Sequence, residues 1–302
     1  METRLISLKY KNSKSDIVLI GIAYTTVIIL TFSIIIPFLL IFLQSITPRS
    51  AMTGEWYSII PKQVTFDAYG YLLVSSKLII KAFKNSFFLV VIGGSLSLIA
   101  TTMAAYTLSK QYLPYRKILT YFVYIPMIIG GGLIPTFLVV KFIGLYGSLW
   151  ACVIPGMVGS WNVFLMRNFF REIPESLEEA ALLDGANDVQ ILVKVMLPVS
   201  LPAIATIGLF YAVGQWNSWF TPSIYLNSRE QWPVQMVVRQ MLAQFDWTSV
   251  ESIQDMEELL INIPTDNVKK ASVFIATLPV LVFYPFAQKY FVKGLVVGSI
   301  KG

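Results

Sequence analysis

The chain has 302 residues, of which 56% are hydrophobic and only 13% are charged. Soluble domains usually carry about 25% charged residues, so this composition argues against a soluble globular protein. The absence of histidine removes the commonest metal ligand and the commonest acid or base near neutral pH, which disfavours a metal site and catalysis by this chain.

The net charge of +6 is not concentrated in a basic run interleaved with aromatic residues. We therefore expect contact with anionic membrane lipid and no contact with nucleic acid.

Residues 1–16 form a basic leader, which carries Arg4, Lys9, Lys11 and Lys14. The apolar stretch behind it is too long for a signal-peptide core and lacks an obvious small-x-small cleavage site, so we predict a retained first helix. Positive charge beside a first membrane helix favours the cytoplasmic side, which places the leader there.

Six windows of the chain contain no charged residue. Each is long enough for a helix that crosses a bilayer, which takes about 17 to 25 residues. The sequence therefore predicts an all-α, polytopic membrane protein with six transmembrane helices, because a soluble core would rarely need six such windows. An even number of spans puts both termini in the cytoplasm. The windows are Ile17–Pro48, Asn85–Ser109, Ile118–Val140, Phe142–Met166, Val195–Ser228 and Ala271–Gln288.

We expect residues 17–302 to form one transmembrane domain, with its core at about 82–290. The segments between the spans include a cytoplasmic loop, 171–198, an external loop, 229–270, and a cytoplasmic tail, 289–302. The external loop is acidic and also contains aromatic residues. It is either a surface for a partner or a solvated acidic loop.

The cytoplasmic loop has the pattern of a helix, a break and a second helix. Ser176 and Glu179 have the spacing of a capping box at the start of the first helix. Gly185 supplies a left-handed residue that ends it. Asp188 can cap a second short helix, and Pro198 ends that pattern before span five. The local sequence therefore predicts a helix-turn-helix knuckle on the cytoplasmic surface.

This loop resembles the EAA loop of ATP-binding-cassette importer permeases. In that family the first helix of the loop fits a cleft on the ATPase subunit, so nucleotide-driven closure moves the transmembrane helices. The resemblance implies that Glu179 meets a basic group on the ATPase, a role that is compatible with capping. It also implies that small side chains permit close approach and that Gly185 sets the turn. The matching residues are Glu179, Ala180, Ala181, Asp184, Gly185, Ala186, Leu197 and Pro198.

The resemblance extends over most of the chain, from about residue 66 to the end, and is closest to the maltose-type and lipo-oligosaccharide-type permeases. Asn85-Ser86 resembles the opening of the family's span two, and Trp216-Asn217 resembles its span-five pattern. The glycine-rich tail resembles one that lies against the ATPase, although a frayed terminus is the alternative. The tail residues with this implied contact are Gly294, Gly298, Lys301 and Gly302.

Aromatic and amide side chains are gathered in spans four and five. An aromatic face can stack on a sugar ring while amides bond its hydroxyls, and polar groups at membrane depth usually face the bundle interior. Helix packing or anchoring at the membrane interface explains any one of them equally well. The candidate residues of the translocation path are Trp161, Asn162, Tyr211, Gln215, Trp216, Asn217 and Trp219.

The resemblance implies a permease subunit of the cytoplasmic membrane that imports sugars or oligosaccharides by alternating access. Its expected partners are a second homologous permease, two ABC ATPase subunits and an extracytoplasmic solute-binding protein. We expect no cofactor on this chain, because it lacks a phosphate-binding glycine loop and ATP with Mg²⁺ would bind the ATPase. The alternatives are a permease for an amino acid, a phosphonate or another small solute, and a secondary transporter, which usually needs charges within the membrane.

Overall fold

A computed structural model describes residues 14–48, 61, 63–243 and 265–299 of the chain. Over these ranges the chain consists of helices joined by short turns, and no strand occurs within them. The all-α prediction is therefore confirmed for the described residues. The leader up to residue 13 and residues 244–264 of the external loop lie outside them, and the predicted domain boundaries stay predictions.

The first two predicted spans are long single helices. Helix α1 runs Lys14–Ser45, and a short helix α2, Asp67–Gly70, follows. Helix α3, Lys77–Phe88, continues through a π-helical stretch into α4, Gly94–Ser109, which gives one helical span of 33 residues. It begins before the predicted opening at Asn85, because the Ser76 hydroxyl caps it by accepting a hydrogen bond from the Ile79 N–H.

Each of the next two predicted spans is a bent pair. Helices α5, Arg116–Ile128, and α6, Leu133–Phe142, meet at 118°. Short 3-10 turns within Leu149–Gly156 precede α7, Ser160–Glu172, at an angle of 50°. The 118° bend lies at three consecutive glycines, residues 130–132. Gly132 has a φ of +79°, a conformation that favours glycine.

The fifth predicted span is also bent, and the sixth is a single helix. The segment Asp188–Val199 meets the following helix at 87°. The described residues therefore contain three helices that can each cross a membrane, and six spans if each bent pair counts as one. The remaining helices are α8 (Glu175–Leu183), α9 (Asp188–Ile191), α10 (Leu197–Val199), α11 (Leu201–Trp216), α12 (Phe220–Tyr225), α13 (Val234–Ala243) and α14 (Thr265–Ser299).

One buried cluster joins α4, α7, the α9–α10 segment and α11. Met166 of α7, Ile191 of α9 and Ile207 of α11 are almost fully buried in it, together with Tyr106 of α4. We call this cluster the inner core, because it lies beside the loop predicted to be cytoplasmic. Part of that loop packs against it.

A second buried cluster lies at the other end of the bundle and joins α3, α13 and α14. Ile79, Val237 and Ala271 are buried within it. The Lys81 ammonium pairs with the Glu230 carboxylate at 2.8 Å and so ties the start of the external loop to α3. Helices α3 and α4 therefore extend from this outer cluster to the inner core as one continuous span.

Helix α1 is exposed over most of its length and is attached at its C-terminal end. Large apolar side chains such as Leu19, Tyr24 and Ile34 are exposed on it. Near its end, the buried amide of Asn267 donates a hydrogen bond to the Thr47 carbonyl oxygen at 2.5 Å. An exposed apolar surface of this extent suits contact with lipid or with another membrane chain.

Candidate functional site

The cytoplasmic loop forms the predicted helix-turn-helix knuckle, which consists of α8, a turn and α9. Helix α8 begins at Glu175, directly after Pro174, and no side chain caps its start. The predicted capping box of Ser176 and Glu179 is therefore wrong, because the helix begins before Ser176 and places it in the first turn. Glu179 is exposed, so its carboxylate is available to a partner.

The turn after α8 depends on Gly185, as predicted. Its φ is +82°, which lies in the left-handed region, and a Cβ placed on it would have no heavy atom within 4 Å. Two backbone hydrogen bonds close the turn, from the Gly185 N–H to the Leu182 carbonyl at 3.0 Å and from the Ala186 N–H to the Ala181 carbonyl at 2.9 Å. Backbone conformation is therefore the reason for glycine at this position.

The cap of the second helix is Asn187, whereas Asp188 was predicted. The Asn187 side-chain oxygen accepts from the Gln190 N–H at 2.9 Å, and the Gln190 side-chain oxygen accepts from the Asn187 N–H at 3.0 Å. This reciprocal pair is a capping box. Asp188 is the first helical residue, and its carboxylate accepts a hydrogen bond from the Tyr112 hydroxyl at 3.1 Å.

The chain changes direction at Ser200, after the predicted end at Pro198. Pro198 lies inside α10, where the helix still runs in the direction of α9. The Ser200 N–H donates to the Met196 carbonyl at 3.0 Å, and α11 then leaves at 87°. The helix therefore ends at Val199, one residue later than predicted, because proline is tolerated in the first turn of a helix.

The two faces of the knuckle differ in chemistry. Ala181 and Ala186 pack against the inner core. Ala180 faces away from it and is exposed. Large apolar side chains near the turn are also exposed to solvent, with Leu183 90% exposed and Val189 69% exposed. Apolar groups beside exposed carboxylates are typical of a surface that another protein covers.

Sequence reasoning missed three polar contacts that hold the knuckle to the end of α4. The Lys110 ammonium pairs with the Glu178 carboxylate, and the Gln111 amide donates to the Glu175 carboxylate at 2.9 Å. The third contact is the Tyr112–Asp188 hydrogen bond. Burial, and then this bond to a carboxylate, raise the pKa of Tyr112, so the hydroxyl keeps its proton and acts as the donor. The partners are 64 to 76 residues apart in sequence, and no local pattern signals them.

Comparison with known proteins assigns the chain to a family. Residues 97–296 match the family described as the binding-protein-dependent transport system inner membrane component. The chain belongs to this family. It is therefore an inner-membrane permease component with several apolar helices.

Named relatives of this permease cover nearly its whole length. The polygalacturonan/rhamnogalacturonan transport system permease protein YtcP of Bacillus subtilis (strain 168) is 41% identical over 270 residues, 89% of this chain and 93% of that protein. Protein LplC of the same organism is 38% identical over 268 residues, 89% of this chain and 90% of that protein. A crystal structure of a bacterial ABC transporter involved in the import of the acidic polysaccharide alginate matches with a TM-score of 0.84 and 32% identity, over 92% of this chain and 98% of that chain.

Two of the residues predicted to line the path of this permease are buried between its helices. The Tyr211 hydroxyl lies 2.5 Å from the Thr101 hydroxyl and accepts a hydrogen bond from the Gly159 N–H at 3.1 Å. The Trp216 indole N–H donates to the Ala276 carbonyl at 3.1 Å. These contacts join helices within the chain, and a role in the path stays a prediction for both.

The other predicted path residues are more open. Trp161 is 64% exposed and Asn217 is exposed, whereas Asn162, Gln215 and Trp219 are half-buried. Exposed residues of this kind are available to a substrate or to another protein chain.

The Arg239 side chain places a positive charge against one face of the Trp219 ring. The guanidinium carbon of Arg239, in α13, lies 3.4 Å from the ring centroid. This arrangement is a cation–π contact and brings a cation to a residue predicted to line the translocation path.

The tail of the permease is helical where the structure describes it. Helix α14 continues to Ser299, so Gly294 and Gly298 belong to a helix and not to an extended tail. Lys301 and Gly302 lie outside the described residues, and contact of the tail with an ATPase stays a prediction.

Proposed function

We propose that this chain is one permease subunit of an ATP-driven importer for oligosaccharides, with its knuckle docked on an ATPase. The observation that carries the proposal is the match, over nine-tenths of the chain, to a permease named for polygalacturonan and to a transporter of alginate. The chain has the helical fold of that transporter and an exposed knuckle suited to a partner.

The knuckle supports the coupling role through the division of its residues. Glu179 and Ala180 of α8 are exposed, while Ala181 anchors the helix to the inner core. A basic group on the ATPase would pair with Glu179, and the small Ala180 would let the two surfaces approach. ATP and Mg²⁺ bind that ATPase in this proposal, and this chain carries out no hydrolysis.

The proposed assembly contains this chain, a second homologous permease, two ATPase subunits and an extracytoplasmic solute-binding protein. We count six spans, with each bent pair as one, and place both termini in the cytoplasm. The basic leader and the position of the knuckle support this topology. The external loop that begins near Glu230 then faces the binding protein.

We propose acidic oligosaccharides as the main substrates. Polygalacturonan and alginate both carry carboxylates, and they are the named cargoes of two similar transporters. In this permease, Trp219 offers an aromatic face for a sugar ring and Arg239 a guanidinium for a carboxylate at one place. The path then continues past Trp161, Asn162, Gln215 and Asn217.

Uptake by the reconstituted transporter tests this function. The tagged chain is purified from its native membrane, its partners are identified by mass spectrometry, and the complex is placed in proteoliposomes with the binding protein and internal ATP. We expect uptake of oligogalacturonides and not of amino acids. Arg239→Gln should raise the KM for acidic oligosaccharides more than for neutral ones, because the guanidinium acts on the carboxylate. Purification as an active monomer or homodimer, or uptake of amino acids alone, would contradict the proposal.

A further inference from the structure

Two neighbouring carboxylates of α8 have different surroundings. Glu178 faces the bundle and pairs with Lys110, whereas Glu179 is exposed to solvent. Successive residues of a helix point about 100° apart, so one turn of α8 presents one carboxylate to each side. The helix therefore has an inward contact that differs from its outward, ATPase-facing surface.

The Lys110–Glu178 pair is partly buried. Lys110 is 8% exposed, and its ammonium also lies 4.0 Å from the centroid of the Tyr106 ring. Lysine is rarely buried to this degree unless its charge is paired. Lys110 also stands at the C-terminal end of α4, where a cation is favoured by the helix dipole. The pair thus joins α8 to the end of the continuous α3–α4 span.

Covalent connections link the knuckle to other helices. Residues 173 and 174 connect α8 to α7, and the α9–α10 segment leads into α11. Helix α4 has no such connection to α8. It is linked to α7 by the Arg167 side chain, whose Nε donates to the Leu108 carbonyl at 3.0 Å. The Lys110–Glu178 pair therefore adds a direct link between α4 and α8 to the packing of α4 in the inner core.

We propose that Lys110 and Glu178 form a positioning pair that transmits movement of α8 to the α3–α4 span. The proposal rests on the proposed function, since an ATPase must move α8. The exposed Gln111–Glu175 and Tyr112–Asp188 hydrogen bonds join the same two segments of the chain. Since α3 and α4 form one helical span up to the Lys81–Glu230 pair, movement at the knuckle reaches the outer cluster.

The test measures coupling in the complete transporter. Lys110→Met and Glu178→Gln remove one charge each, and Lys110→Glu with Glu178→Lys reverses the pair. The readout is the amount of oligosaccharide taken up per ATP hydrolysed in proteoliposomes with loaded binding protein. Each single variant should lower this ratio about tenfold or more, because it leaves the other charge unpaired in a partly buried site. The reversed pair should recover part of the loss, but not all of it, because a carboxylate at position 110 loses the contact with the Tyr106 ring and is disfavoured by the helix dipole.

Two control variants separate this proposal from the proposed function. Lys117→Met removes an exposed lysine at the start of α5 and should leave the ratio within about twofold, as expected of an exposed charge. Glu179→Gln tests docking itself. If Glu179→Gln lowers uptake while Lys110→Met leaves the ratio unchanged, the positioning pair is refuted and the proposed function stands. If neither matters, the coupling function fails as well.

Assembly decides the remaining outcomes. Each variant complex is checked for subunit content and thermal unfolding before transport is measured. An intact complex with a low ratio, rescued by the reversed pair, supports transmission through Lys110 and Glu178. If all three changes prevent assembly, the pair acts in folding and the proposal is overturned. The proposal is also overturned if the reversed pair assembles and gives no recovery.

Discussion

The turn after α8 gives a prediction that depends on backbone conformation alone. Gly185 has a φ of +82°, and a Cβ at this position would meet no heavy atom within 4 Å. We therefore compare Gly185→Asn, Gly185→Ala and Gly185→Val. Because an added Cβ has room, their effects should differ mainly through their tolerance of the left-handed conformation.

The expected cost follows from the conformation that each residue must adopt. An L-residue in the left-handed region loses about 1 to 2 kcal/mol, which is the expected cost for alanine. Valine should cost more, because a branched residue is a rare outlier at positive φ, and asparagine less, because it visits this region readily. Each 1.4 kcal/mol changes the population of the closed turn about tenfold. Uptake should therefore be highest with asparagine, lower with alanine and lowest with valine at position 185.

The assay is uptake by reconstituted complexes, with thermal unfolding and subunit content measured on the same preparations. Assembly should survive, because Gly185 is exposed and outside the inner core. Asparagine is larger than alanine, so the predicted order is opposite to the order of side-chain size for this pair. Equal uptake by all three variants, or a greater loss with asparagine than with alanine, would refute the reasoning.

The remaining predictions concern hydrogen bonds within the chain. Tyr211→Phe should destabilise the permease by about 1 to 3 kcal/mol, because the Gly159 N–H loses its acceptor. A lower unfolding temperature with unchanged KM would confirm a packing role. A changed KM with an unchanged unfolding temperature would favour a place in the path. Asn187→Ala should destabilise the knuckle by about 0.5 to 2 kcal/mol through loss of its cap, whereas Asn187→Ser should not. Faster proteolysis at 184–188 in the alanine variant alone is the expected result, and equal rates would contradict it.

Sequence patterns predicted the positions of the apolar spans better than their shapes. The windows 118–140 and 195–228 overlap the helices of two spans, but both spans are bent pairs, at 118° and 87°. Glycine and proline permit a bend, while its angle depends on packing against neighbouring helices. The first and last residues of each span are also uncertain by sequence, since Lys77 begins a helix that the charge-free window did not include.

The knuckle was predicted from sequence, although its caps were not. Gly185 was identified because its role is local, and the left-handed turn confirms it. The cap of α9 was assigned to Asp188, whereas Asn187 performs it, because neighbouring Asn and Asp have similar capping preferences. Lys110 had no signal at all. Its partner Glu178 is 68 residues away, and only the packing of α4 beside α8 brings the two together.

Replacement of Glu179 by glutamine tests the central claim most directly. The substitution keeps the size of an exposed side chain and removes its charge, so the permease should fold and assemble normally. A basic group on the ATPase would then lose its partner at the interface, at a cost of about 2 to 5 kcal/mol. Uptake and ATPase stimulation by loaded binding protein should both fall sharply in intact complexes. Wild-type values of both in the Glu179→Gln transporter would contradict docking of an ATPase on this knuckle.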